Sequence, residues 1–127
     1  MKAITIKQPF ASLIIEGYKK YEFRTWKTNF RGKILIHAGL GKDEKNVQRF
    51  KYLNIVFPYG AIIGEAQITD CIEVTDELID KLTNEDSEVY KESGYGAKYA
   101  FKIENIKKYA NPIPCKGALS FWTYNEK

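Results

Sequence analysis

Within Gly17-Tyr18-Lys19-Lys20-Tyr21-Glu22-Phe23-Arg24-Thr25-Trp26 a turn gives way to a strand. From Lys20 the residues alternate. Tyr21, Phe23 and Thr25 fall on one side, and Lys20, Glu22, Arg24 and Trp26 on the other, which is the period-two pattern of a β-strand. Glu22 and Arg24 therefore project from one face and can pair or share a ligand. Lys19 stands at the turn after Gly17, where its long side chain can fold toward that face.

Upstream, Ala3-Ile4-Thr5-Ile6 reads as a short strand, and Pro9 suits the first turn of a helix because its missing N–H costs nothing there. Phe10, Leu13 and Ile14 lie at helical spacing, and Gly17 fits just past the helix end. Downstream, Arg31-Gly32 makes a turn before a strand over residues 33–37, and residues 43–54 place Val47, Phe50 and Leu53 on one helical face. Pro58-Tyr59-Gly60 breaks that helix, and a long strand follows over residues 61–72. Residues 75–91 suggest an acidic helix with Thr75 as its cap and Leu78, Ile79 and Leu82 turned inward. Residues 97–106 alternate as a half-buried strand, Pro112 and Pro114 are expected to interrupt it, and residues 119–124 form the last strand. Gly94-Tyr95-Gly96 reads as a turn. Five or six strands with two or three short helices imply an α+β domain built on a small barrel-like sheet.

The chain has 127 residues, 44% hydrophobic and 28% charged, values that fit one globular domain over residues 1–127. No apolar run approaches the roughly 18 residues that cross a bilayer. The start of the chain lacks a signal peptide's apolar core, so a cytoplasmic protein without membrane contact is expected. Two cysteines far apart, Cys71 and Cys115, make no disulfide framework, and one histidine with no cysteine cluster offers no metal site. No cofactor is expected.

Charge is unevenly distributed. Residues 1–64 carry 12 Lys and Arg against 4 Asp and Glu, residues 65–92 carry 2 against 10, and residues 93–127 carry 6 against 2. A basic N-terminal half points to a polyanionic partner, since Lys and Arg that neutralise phosphates release counterions. A solvated lysine-rich surface is the alternative. The acidic segment 73–92 reads as an exposed helix face, or as a surface for a basic protein partner.

No G-x-S-x-G motif accompanies a base, and Gly39-Leu40-Gly41-Lys42 lacks the Ser/Thr and upstream glycine of a phosphate loop. What remains is the group Lys19, Glu22 and Arg24. It could hold a base, sugar or phosphate, or activate water if burial shifts the lysine or glutamate pKa. A structural ion-pair network is the competing reading. Trp26, Tyr59, Tyr95 and Trp122 could stack a base or fill the core, and His37 reads as a packed, hydrogen-bonded residue.

Gly17, Lys19, Glu22 and Arg24 match G-x-K-x-x-E-x-R, and with Ile6-Lys7-Gln8-Pro9-Phe10-Ala11-Ser12 and residues 112–122 the chain resembles the ASCH (activating signal cointegrator homology) family. That resemblance spans almost the whole chain. It implies a PUA-like β-barrel with a cleft between barrel and first helix that binds RNA or a modified nucleoside. Gln8, Lys19, Glu22, Arg24, Trp26 and His37 are then the ligand-binding candidates. One branch of the family hydrolyses N4-acetylcytidine with lysine, threonine and glutamate, and another cleaves RNA. Lys19 matches that lysine and would serve as base. Glu22 stands at the threonine position as proton shuttle, and Arg24 would support the ligand or oxyanion. For the later glutamate of that branch, Glu65 and Glu85 are both candidates.

Overall fold

The computed structural model describes residues 1–90 and 96–125, so Lys91, the Gly94-Tyr95 turn and the stacking candidate Tyr95 lie outside the described residues. The strands are β1 (Lys2–Ile6), β2 (Tyr21–Arg24), β3 (Gly32–Ala38), β4 (Ala61–Glu73), β5 (Tyr99–Pro114) and β6 (Phe121–Thr123). They form one sheet in the order β2-β5-β4-β3-β1-β6, antiparallel throughout except where β1 runs parallel to β3. The helices are α1 (Phe10–Ile15), α2 (Glu44–Arg49), α3 (Asp76–Glu85) and α4 (Ser87–Tyr90), with a 3-10 turn at Lys51–Leu53.

The sheet curls into a half-barrel, as the strand count suggested. The long pair β4–β5 carries three register shifts, and each such bulge sharpens the local twist. The two ends of the sheet thereby approach one another. Trp26, just past β2, packs edge-on against Phe101 in β5 and Phe121 in β6, with ring centroids 5.1 Å apart in each case. β6 pairs with β1 only as far as Ile4, and the next carbonyl, Thr5, is taken by Arg24 Nη2 at 2.8 Å. Arg24 thus replaces a missing strand partner and ties β2 to β1 across the opening. At the same edge of the molecule Met1 and Tyr124 pair directly: the Met1 ammonium donates to the Tyr124 carbonyl at 2.9 Å, and the Tyr124 N–H returns to the Met1 carbonyl at 2.8 Å.

Three apolar clusters result. Ile4, Ile6, Ile34, Ile36, Ile68 and Phe101 fill the curl together with α1. Leu13, Phe50, Leu82, Val89 and Tyr90 form a second cluster under the helices, joined by Tyr21 and Phe23. Ala3, Leu35 and Ile62 form a third on the opposite face, covered by Tyr109, Trp122 and Tyr124.

Most expected elements are present within a residue or two. Thr75 caps α3 by accepting the Leu78 N–H at 3.1 Å. The acidic helix divides because Asp86 takes an extended backbone and its side chain caps α4 at the Val89 N–H, 3.1 Å away. The helix expected over residues 43–54 is two pieces that break at Phe50, whose side chain is fully buried. Pro112 does not interrupt the strand, which runs on and ends at Pro114. The Cys115 N–H donates to Gly60, so odd-numbered amides aim at β4, while positions 112 and 114 face the edge where β2 has already stopped. A proline on that side removes no ladder bond.

Candidate functional site

α1 ends at Gly17, which turns left-handed at φ +86°, a conformation with little steric cost for glycine. The Tyr18 and Lys19 N–H groups then both close on the Leu13 carbonyl, at 2.9 and 3.0 Å. This tight return drops Lys19 inward, where it is 3% exposed. Its Nζ donates to the Tyr21 carbonyl at 2.6 Å, stands 3.6 Å from Glu22 Oε1, and lies 4.7 Å over the Phe23 ring.

Glu22 pairs in register with Phe101, so it shares that residue's face and points into the curl. Arg24 Nε and Nη2 both meet Glu22 Oε2, at 3.0 and 2.9 Å, while Nη2 also holds the Thr5 carbonyl. Two cations thus share one nearly buried carboxylate, 8% exposed. Burial pushes the Lys19 pKa down. The Glu22 carboxylate opposes this and the Arg24 charge adds to it, with desolvation the largest effect.

The other expected site residues have different surroundings. Gln8 is fully buried: its amide donates to Ser12 Oγ at 2.7 Å and the Pro58 carbonyl at 2.8 Å, and its oxygen accepts the Ser12 N–H at 3.0 Å. It caps α1, whose N-terminal Pro9 has no capping side chain. Trp26 is packed in the seam. Glu65 is not brought to Lys19. It pairs with Leu35 on the opposite face of the sheet, where Tyr109 donates to it at 3.0 Å and Lys33 stands 3.7 Å away. Glu85 is exposed at the end of α3, close enough to Tyr90 for its charge to help raise that hydroxyl's pKa.

His37, 2% exposed, bonds through Nδ1 to Thr5 Oγ1 at 3.1 Å and through Nε2 to the Cys115 carbonyl at 2.8 Å. Thr5 also accepts the Trp122 indole N–H at 3.0 Å. Thr5 therefore touches Arg24 through its carbonyl and His37 through its hydroxyl, a junction that sequence reasoning missed. Its one visible signal is a polar residue between the apolar Ile4 and Ile6. Among the described residues no group of three or more His, Cys, Asp or Glu could hold a metal ion, and no helix is long and apolar enough to cross a membrane.

A curled six-stranded sheet whose opening is laced by a buried Lys–Glu–Arg cluster defines a small α+β half-barrel domain. Solved structures of this shape include ASCH from Zymomonas mobilis, with a TM-score of 0.56 and 18% identity over 89% of this chain and 72% of that one. A serine-to-alanine variant of the same protein matches with a TM-score of 0.55. Human activating signal cointegrator 1 is 25% identical over 98% of this chain, and the mouse protein 26%. The chain spans 22% of the length of those relatives. The ASCH domain model matches residues 4–114, and the chain belongs to the ASCH domain family.

Proposed function

We propose that this ASCH domain binds RNA, or a modified nucleoside, at the Lys19–Glu22–Arg24 cluster. The cluster itself carries the reading. Its two cations are held by one carboxylate, and such a buried ion group contributes little to stability compared with apolar side chains of the same volume. It does offer preorganised, desolvated donors to a base, sugar or phosphate. The excess of Lys and Arg over residues 1–64 supplies the field that would draw a polyanion toward it. Membership of the ASCH family supports the same reading.

The test is the affinity of the chain for single-stranded RNA across ionic strengths, with Lys19→Met beside it. Affinity should fall with salt, and the variant should bind about tenfold more weakly, the worth of one charge-assisted bond. No RNA binding at low ionic strength would overturn the proposal.

One observation favours a second reading, hydrolysis of an N4-acetylcytidine-type nucleoside. The lowered Lys19 pKa leaves more neutral amine to take a proton from water, and Glu22, 3.6 Å away, can pass that proton to the leaving amine. Cytidine and acetate should then be released by the wild type and not by Lys19→Met, with a rate that rises with pH through the lysine pKa. The same incubation with RNA would read strand cleavage. Unchanged turnover in Lys19→Met would remove this mechanism.

A further inference from the structure

Thr5 divides two regions. Its carbonyl meets Arg24, while Thr5 also helps line a cavity of about 810 Å³. This size suits a small-molecule ligand. Leu40 and Leu119, 72% and 93% exposed, line the cavity, with Gly39, Gly60 and Pro114 as further walls. Among the described residues Lys116 is the only cation in the lining, and no carboxylate joins it. Gly117 seats the 115–120 segment against the floor: a Cβ there would come within 2.3 Å of Thr5 Oγ1 and 2.6 Å of His37 Nδ1.

The polarity of the floor follows from its hydrogen bonds. The Trp122 indole N–H can only donate, so Thr5 Oγ1 accepts it. The Cys115 carbonyl can only accept, so His37 Nε2–H donates to it. In the neutral ring Nδ1 is then an acceptor, and the Thr5 hydroxyl donates to it. The donors of the Thr5, His37 and Trp122 side chains are thereby spent, which leaves one acceptor lone pair each on Thr5 Oγ1 and the Cys115 carbonyl.

We infer that this cavity is a nucleotide subsite, separate from the Lys19 cluster. The base lies between Leu40 and Leu119 and donates an N–H to Thr5 Oγ1, and its phosphate meets Lys116. A hydrocarbon would leave the acceptors unused, and a cation would oppose Lys116. A flat ring with N–H donors and an anionic tail satisfies walls, floor and rim together. The nucleotide can be free or part of a strand. The choice of a nucleotide rests on the nucleic-acid reading of the domain, whereas the site's position and polarity do not.

The experiment follows the two indole N–H signals and the Gly39 and Gly117 amides by NMR while the full chain is titrated with uridine 5′-monophosphate, uridine, inorganic phosphate and a short single-stranded RNA. Trp122→Phe assigns the indole signals. The monophosphate should shift the Trp122 indole and Gly117 amide. Ala118→Trp, which adds bulk at an exposed lining position, should abolish the shifts, and Lys116→Glu should weaken binding about tenfold, toward the affinity of uridine alone. Lys19→Met should leave these shifts intact. A response to RNA but not to the monophosphate, with the same sensitivity to Ala118→Trp, places a strand nucleotide in the site. Equal shifts with inorganic phosphate alone, no shift with any ligand, or shifts indifferent to Ala118→Trp would overturn the subsite. RNA binding that survives Ala118→Trp but fails in Lys19→Met, with no shift from the monophosphate, overturns the subsite and leaves the cluster reading standing. No RNA binding by any variant, with the monophosphate shifts present, does the reverse.

Discussion

Lys19 and Arg24 share Glu22 unequally. Arg24 closes two contacts on one oxygen at 3.0 and 2.9 Å, while Lys19 stands 3.6 Å from the other and donates its shortest bond to a carbonyl. Removing the carboxylate by Glu22→Ala leaves two cations facing one another in a nearly closed site and should cost about 3 kcal/mol in urea unfolding. Lys19→Met keeps the volume and the Arg24–Glu22 pair, and should leave stability within about 1 kcal/mol. The pH dependence has a fixed sign. With its folded pKa below the unfolded value, Lys19 binds fewer protons folded than unfolded between those two values. Wild-type stability should therefore rise relative to Lys19→Met as pH climbs from the folded lysine pKa toward 10.5. A constant difference across that window would contradict the buried charged amine. The pairing of Glu22 with Arg24 was readable from a spacing of two on a strand. The roles of Gln8 and Thr5 were not, because their partners Pro58, His37 and Trp122 are brought in by the sheet from far along the chain.

α4 is a single turn that holds the site from behind. Its Tyr90, buried in the second cluster, accepts the Lys20 N–H at 2.8 Å, next to the lysine of the site. Burial raises the Tyr90 pKa to about 12. The unfolded chain loses this proton near pH 10 while the folded one keeps it, so the contribution is complete below pH 10 and is lost as pH rises toward about 12. Tyr90→Phe should cost about 1 kcal/mol at neutral pH through the stranded Lys20 amide and should flatten the alkaline loss, both readable in urea titrations at pH 7 and 11. Elements were legible where a local signal sufficed: Thr75 as a cap, Gly17 as a helix stop, alternation in β2. They were misjudged where a neighbour decides the matter. Two prolines are harmless in β5 only because β2 begins at Tyr21, opposite Lys102, and leaves the later part of that edge open, and local pattern cannot say which strand edge is open.

The whole sheet and its barrel-like curl were countable in the sequence, but the side chains that close it were not. Alternation marks β2 as half polar, yet Tyr21 and Phe23 enter one cluster while Glu22 turns into the curl, so both faces are covered and the polar one is internal. At this scale the charge division matters more than any pair. If the basic N-terminal half tracks phosphate, the logarithm of RNA affinity should fall linearly with the logarithm of salt, by about 0.7 for each phosphate engaged. Charge reversal within α3, by contrast, should leave that slope unchanged. A steeper or shallower slope in an α3 variant would bring the acidic face into the contact. The mutual pairing of Met1 and Tyr124 reaches further, into how such a domain can be carried by a longer polypeptide. Entry and exit sit side by side, so the unit can be spliced into a host loop without stretching it. Equally, a short linker from Tyr124 to Met1 with new ends opened at exposed Gly41–Lys42 gives a circular permutant expected to keep the same sheet order, measurable by its unfolding midpoint.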